Sequence, residues 1–537
     1  MATMTWRCVT ALAGLLACAG MALGYPVGPA VSLEKLTEEA DIIFKGTAVS
    51  SKPVQDNWFR PCQDFVARQT QFKIVSVIKG DRLGGSLVFR HYDYDPEARA
   101  HMFQPLYYYF EPGRTYIVFA KKGGPAGVFR QLWMNHTMKE DQGVVLCAND
   151  KPIAAKTVKE ALWAELTAML GSADVSDVIY AIRQLDEMSG SQGVFECLSD
   201  FDRKDVLAAV RGLMSNRDPK IAQAAIGLIG SHNPYMSDER TIHWLATVGS
   251  AEAPGVGRMD PKTKNVGGEL YWKDLVEAAD GKASDDTRAM AILALGLVRE
   301  PALDKPIARW LADPSLAVRA SAALLLADFP GPETCKRLTA LAGDAAPEVR
   351  ACAARAAGFG QQAAMAEILA KLLTDKERKV REAAAKSLLS FSPKNEAFAA
   401  IFRANLENQE FNPLFLNALA REDPAGHLDA LAKAVEQKAE PRNFWGGQTP
   451  ACTSRVILFK YLRAQPADEI RGGKFDRYLG VLEKAAPDSR EIYAFYLQRG
   501  MTERAKKFRA EAKKTATYDI DRYFNQVDEN PSLYNGE

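Results

Sequence analysis

Histidine is scarce in this chain, with six in 537 residues, too few and too scattered for a metal enzyme built on imidazole ligands. An excess of one charge is missing as well. Lys and Arg number 68 against 67 Asp and Glu, a formal +1, so no net field draws nucleic acid or anionic lipid. The eight Cys include no C-x-x-C pair and no Cys/His spacing of a zinc site. There is no Gly-x-Ser-x-Gly elbow, no His-Glu-x-x-His pair and no phosphate-cradling glycine loop. Gly255-Val256-Gly257 lacks the strand and third glycine of a dinucleotide site. No cofactor and no metal are therefore expected, and no catalytic residue is assigned.

What is present is ordinary for a globular chain: 47% hydrophobic and 25% charged residues. The length predicts about three domains or one long repeat array. Arg7 is followed by an apolar run, Val9 to Leu23, too short for a comfortable permanent span. Ala22-Leu23-Gly24 places small residues at a cleavage site before Tyr25-Pro26, so residues 1–24 resemble a secretory signal peptide. Leu15-Leu16-Ala17-Cys18 resembles a bacterial lipobox, in which Cys18 would be lipidated and become the mature N-terminus. Either route puts the folded part outside the cytoplasm, as a periplasmic or secreted protein or a membrane-anchored lipoprotein. In that oxidising setting Cys62 and Cys147, which bracket one β-rich segment, are expected to pair. Cys197, Cys335, Cys352 and Cys452 read as single buried thiols.

From about Ser32 to Asp150 the pattern has period two, and one β-domain is expected over 25–150. Strands are predicted at Ile42 to Val49, Thr70 to Ile78, Ser86 to Arg90, Thr115 to Ala120 and Val128 to Trp133. Lys79-Gly80-Asp81 and Glu111-Pro112-Gly113-Arg114 between them carry turn chemistry. Short strands in that number predict a small closed or partly open β-barrel. The segments Ala40 to Thr47, Phe72 to Gly80 and Phe110 to Ala120 resemble the netrin-like module, over about a quarter of the chain. The resemblance implies the OB-type barrel shared with tissue inhibitors of metalloproteinases. In that family inhibition depends on an N-terminal Cys that chelates zinc. A mature chain starting at Tyr25, or at a lipidated Cys18, has no such free group, which disfavours inhibition by that route.

From residue 157 the period becomes 3.6. Arg288, Arg319, Arg350 and Arg381 recur every 31 residues, as do Ala291, Ala322, Ala353 and Ala384. Val276, Ile307, Leu338 and Leu369 repeat likewise on the preceding helix. Several columns on one period predict a two-helix solenoid. The Asp-x-x-x-x-Val-Arg and Ala columns resemble the short bacterial HEAT-like repeat found also in phycobilin lyases. The fold class expected is a small N-terminal OB-like β-barrel followed by an α-α superhelical HEAT/armadillo-like solenoid over 157–440, with a helical extension over 441–537. Asp313, Asp344 and Asp375 precede three of the arginines by six residues. They are expected to cap helix starts and pair with arginines of their own or the neighbouring unit.

Candidate site residues lie in two irregular stretches. Ala251 to Gly268, rich in Gly and Pro, leads into Tyr271 and Trp272, and a second loop carries Asn443, Phe444, Trp445 and Gln448. Adjacent aromatics and amides can stack on and hydrogen-bond sugars or peptides. His91, Asp93, Asp95 and His101 have the types of a hard-cation loop, but their alternation also describes a solvated β-edge with an Asp-Pro turn, and no metal is assigned. The sequon Asn135-His136-Thr137 is expected to be unused in a bacterial source. The functional expectation is an exported, non-enzymatic adaptor that binds an envelope or secreted protein, including one that handles polysaccharide, through its solenoid surface. The competing reading is an enzyme or carbohydrate-binding accessory protein with its site toward the C-terminus; a lyase-like activity sits poorly with export. Mass spectrometry of the mature protein separates the two N-terminal readings: Tyr25 as first residue is expected, and a diacylglyceryl Cys18 would replace secretion by membrane anchoring.

Overall fold

The computed structural model describes residues 31–55, 65–81, 84–94, 107–123, 127–132, 143–190, 199–230, 265–359, 364–407, 412–437, 454–516 and 519–534. It divides into two compact units, one holding the described residues through Val298 and the other those from Arg299.

The first unit opens with α1 (Leu33–Glu39), capped by Ser32. Six strands follow: β1 (Ile42–Pro53), β2 (Phe65–Lys79), β3 (Ser86–Tyr94), β4 (Thr115–Lys122), β5 (Val128–Gln131) and β6 (Val144–Leu146). The five predicted strands are all present, and β6 is an addition. The order is β1-β2-β3-β5-β4-β6, with a further antiparallel pairing of β1 to β4. Followed from strand to strand, the pairings β1-β2-β3-β5-β4 return to β1, so the circuit closes, and β6 pairs with β4 on the edge opposite β1, in line with β5. Both predicted glycine turns hold left-handed backbone, with φ of 97° at Gly80 and 89° at Gly113. A Cβ at Gly80 would come within 2.8 Å of the Asp41 carbonyl, so packing as well as conformation selects glycine there.

One face of the strands closes on an aromatic core of Phe44, Phe72, Phe89, Phe110, Tyr116 and Phe129. The rings meet edge to face, Phe72 and Phe110 at 5.1 Å and 90°. The opposite face of β1 and β4, carrying Ile43, Lys45, Ile117 and Phe119, is buried as well. There the Lys45 ammonium, with no exposure, lies 2.6 Å from Glu165 on α2 (Val158–Met169). The other Glu165 oxygen accepts the Ala148 N–H at 3.0 Å. Strands and first helices thus share one unit, with packing continuous across the expected boundary near residue 150. The unit continues through α3 (Val175–Glu187), α4 (Arg203–Val210), α5 (Pro219–Ile229), α6 (Val266–Asp280) and α7 (Asp285–Ala294).

Cys147 is a free, buried thiol in this structure. Its sulfur points inward, 3.8 Å from the Val145 carbonyl. Burial beside Glu165 pushes the thiol strongly up, the reverse of a reactive cysteine. Cys62 and Cys18 lie outside the described residues.

The second unit begins with the counted repeats: α8 (Asp304–Trp310), α9 (Leu316–Leu325), α10 (Pro332–Leu341), α11 (Pro347–Phe359), α12 (Met365–Leu372) and α13 (Arg378–Leu388). Ala322, Ala353 and Ala384 are fully buried, as expected of the column that lets α9, α11 and α13 stack closely. The arginine column is an internal ladder. Arg319 Nη1 donates to the Asp313 and Pro314 carbonyls at 2.8 and 3.0 Å, and its fork reaches Asp344 of the next repeat. Arg350 repeats this on Asp344 and Ala345, then grips Asp375 with two bonds of 2.7 and 2.8 Å. Arg381 donates to the Asp375 and Lys376 carbonyls. The aspartates do not cap the helices directly. Each accepts the N–H two residues on, at Ser315, Ala346 and Glu377, and so shapes the turn before the helix.

The unit continues through α14 (Glu396–Ala404), α15 (Asn412–Glu422), α16 (Leu428–Glu436), α17 (Ser454–Ala464), α18 (Ala467–Arg471), α19 (Asp476–Ala485), α20 (Arg490–Gln498), α21 (Thr502–Thr515) and α22 (Ile520–Glu529). One apolar cluster runs from Leu416 to Val527, so packing is continuous across the expected division at 440. No helix among the described residues is long and apolar enough to cross a membrane.

The Arg350 and Asp375 side chains are only 7% and 10% exposed. Removing one partner leaves the other charge in a dry site, so Arg350→Ala should lower the unfolding free energy by about 3 kcal/mol in a urea titration. Lys506→Ala, in a pair with Glu503 whose side chains are 68% and 87% exposed, should leave the midpoint in place. Equal losses at the two positions would contradict the ladder.

Candidate functional site

The segment between β3 and β4 contains three consecutive tyrosines, Tyr107, Tyr108 and Tyr109. Backbone geometry sends them different ways. Tyr107 bridges to Tyr92, and Tyr108 N–H donates to the Tyr92 carbonyl at 2.9 Å, which draws the Tyr108 ring into the core beside Phe89. Tyr109 is 72% exposed, the most exposed large apolar side chain among the described residues. The turn Glu111-Pro112-Gly113-Arg114 is pinned to β1 at both ends, with Gly113 N–H donating to the Ala48 carbonyl and Ala48 N–H to that of Arg114. Glu111 N–H donates to the Tyr116 hydroxyl at 3.0 Å. Burial pushes that phenol up, so Tyr116 is neutral through the physiological range.

A second wall comes from α3. Tyr180 accepts the Leu146 N–H on its hydroxyl at 3.1 Å, and Asp177 forms an ion pair with Arg114. The hydrogen bond that Arg114 donates to Asp177 raises its guanidinium further. Between these parts lies a cleft of about 290 Å³ lined by five tyrosines, Glu111, Arg114, Val144 and Leu146. Its chemistry is that of stacking faces, two charged groups and a strand edge. The run of three tyrosines was a signal, but its partner Tyr180 comes from another element some 70 residues on.

Of the residues expected to bind, Tyr271 and Trp272 sit on α6 rather than in a loop. Asn265, fully buried, starts this helix: its Oδ1 accepts Gly268 N–H, and its Nδ2 donates to the Ala294 and Gly296 carbonyls at 2.7 and 2.8 Å. A Cβ at Gly267 would meet the Ile229 carbonyl oxygen at 2.1 Å. Those glycines therefore serve packing at a helix start. The backbone kinks at Tyr271, whose ring lies 5.2 Å below the Arg211 guanidinium, itself held by Asp274 at 2.7 Å. Lys273 lies 5.5 Å from the Trp272 ring. Tyr271 and Trp272 are half-buried and each has a cation over it. Asn443, Phe444, Trp445 and Gln448 lie outside the described residues.

The solvated-edge reading of the His91 segment needs correction at its first residue. His91 follows Leu87 and Phe89 on the inward face of β3 and is fully buried, stacked on Phe89 at 5.6 Å. Nδ1 lies 2.9 Å from the Tyr92 carbonyl and Nε2 2.8 Å from the Thr70 hydroxyl, and burial favours the neutral ring. Asp93 pairs with Arg68 at 3.3 Å. Asp95 and His101 lie outside the described residues, and among those described no cluster of His, Cys and acidic groups could hold a metal.

The family model for HEAT repeats matches residues 273–358 and 305–389. Over residues 273–389 the chain is therefore similar to HEAT repeats. Known structures include similar helical repeats. The E. coli protein YibA is 15% identical with a TM-score of 0.33, covering 57% of this chain and 94% of its own. A designed armadillo repeat protein is 17% identical with a TM-score of 0.25, covering 42% and 98%. The S. pombe condensin Cnd3-Cnd2 subcomplex is 14% identical with a TM-score of 0.30, covering 69% and 57%. No curated protein matches the chain.

Burial pushes His91 down from 6.5 to about 4. The unfolded chain therefore binds a proton that the fold refuses between those values. Stability from this group is complete above pH 6.5 and is lost as the pH falls toward 4, by about 2.5 kcal/mol at pH 4.5. His91→Phe removes that dependence, so wild type should lose about 2.5 kcal/mol of stability relative to the variant between pH 7.5 and 4.5. A gap that stays constant would show His91 to be solvated.

Proposed function

We propose that this protein is an exported, non-enzymatic scaffold: an OB-type, netrin-like module carried on HEAT repeats that present it to a protein partner in the cell envelope or outside the cell. The observation that carries the reading is the ladder. Arg319, Arg350 and Arg381 spend their donors on carbonyls and aspartates of the array itself, so the recurring charges build a support. A stack in which each repeat braces the next is suited to holding a surface in a fixed shape for recognition. The OB-type assignment draws on the closed strand circuit, with β1 paired to both β2 and β4. Export draws on the apolar run Val9 to Leu23 and the Ala22-Leu23-Gly24 site.

The test uses the full-length mature protein. Crosslinking in an envelope extract, read by mass spectrometry, should return the same protein partner from independent preparations, while a broad hydrolase screen returns no turnover. Reproducible turnover abolished by one substitution would replace the scaffold by an enzyme.

A further inference from the structure

The tyrosine cleft has two properties that no role in the fold absorbs. The first is a strand edge that no strand among the described residues covers, with one donor, the Leu146 N–H, taken by Tyr180. In the β4–β6 ladder, Gly143 and Cys147 bond to β4 through Phe119 N–H and the Thr115 carbonyl. Alternation then points the backbone groups of Val144 and Leu146 away from β4. β6 is last in the strand order, and both residues line the cleft. The Leu146 N–H already meets the Tyr180 hydroxyl, which confirms the direction in which this edge faces.

The second is a net negative charge among aromatic faces, Glu111 and Asp177 against Arg114. Two charged groups line the cleft. Arg114 is offset by its ion pair with Asp177, which leaves the exposed Glu111 beside five tyrosines. Aromatic faces attract cations through their quadrupole, and a carboxylate adds to that attraction. An acidic ligand would meet Glu111 with like charge, and a neutral one would leave it unused.

We propose that this cleft docks an extended, basic segment of a partner protein, its backbone continuing the sheet at β6 and a lysine or arginine resting on the tyrosines beside Glu111. The proposal rests on the scaffold reading and gives it a reader. Strand addition supplies affinity through main-chain bonds, while the cationic seat supplies selectivity. Tyr109, rigid and exposed at the cleft, is the anchor expected to matter most.

The probe is a fluorescein-labelled octapeptide alternating lysine and threonine, with a glutamate-threonine counterpart, titrated by fluorescence polarisation into the full chain. The lysine peptide should bind and the glutamate peptide should not. Tyr109→Ala should weaken binding about tenfold and Tyr109→Phe should retain it, because the ring face is what the cation uses. Glu111→Gln should weaken it several-fold, and added salt should mimic that loss. Both side chains are exposed, so unchanged circular dichroism is expected to verify folding. Equal binding of the two peptides, or affinity indifferent to both Tyr109→Ala and Glu111→Gln, overturns the proposal. If the peptide fails while a partner is still captured from the envelope extract, the scaffold stands and its partner docks elsewhere.

Discussion

A lysine with no solvent exposure is the constraint around which the first unit is organised. Lys45 occupies an outward position on β1, and an ammonium left alone there would lose its hydration with nothing in return. Glu165 on α2 supplies the countercharge at 2.6 Å, and its second oxygen holds the chain at Ala148. Asn149 lies 3.5 Å from the same ammonium. Strand, linker and helix are therefore fixed by one polar cluster. Such a pair adds little net stability over apolar residues of the same shape, but breaking it is costly. It selects one docking of helix on sheet, because any other leaves a charge unpaired. The cleft depends on that docking, since Tyr180 and Asp177 come from the next helix and Tyr109, Glu111 and Arg114 from the sheet side.

The second unit solves a similar problem by repetition. Each aspartate of the ladder accepts an N–H from its own turn and, in two of the three repeats, the guanidinium of the preceding repeat. Arg350 holds Asp375 below the usual carboxylate range, as a charge-assisted fork does. The alanine column removes bulk where the helices stack, and the ladder fixes their spacing at the helix starts. Cys352, buried in this stack and pushed up to about 12, is a packing group.

Much of this was legible because the signals were local or periodic. The 31-residue columns predicted the stacked alanines and the Arg–Asp pairing directly. The alternation in Thr115 to Ala120 predicted β4, and the glycine turns predicted their own backbone. What escaped reading was tertiary. Val144–Leu146 is too short for alternation to reveal, and it is a strand because β4 offers an edge. His91 looked solvated from its polar neighbours, though the Leu87, Phe89, His91 register places it inside. The cleft could not be assembled from sequence, because Tyr180 reaches it only through the docking of α3.

The central claim is that Lys45 and Glu165 form one energetic unit that locks helices onto sheet. A double-mutant cycle with Lys45→Met and Glu165→Leu, followed by urea denaturation of the full chain, measures this directly. The account predicts that each single change costs about 3–5 kcal/mol while the double change costs no more than either, a strong favourable coupling. Losses that simply add would mean the two charges do not meet, and the docking of α2 on β1 described above would be wrong.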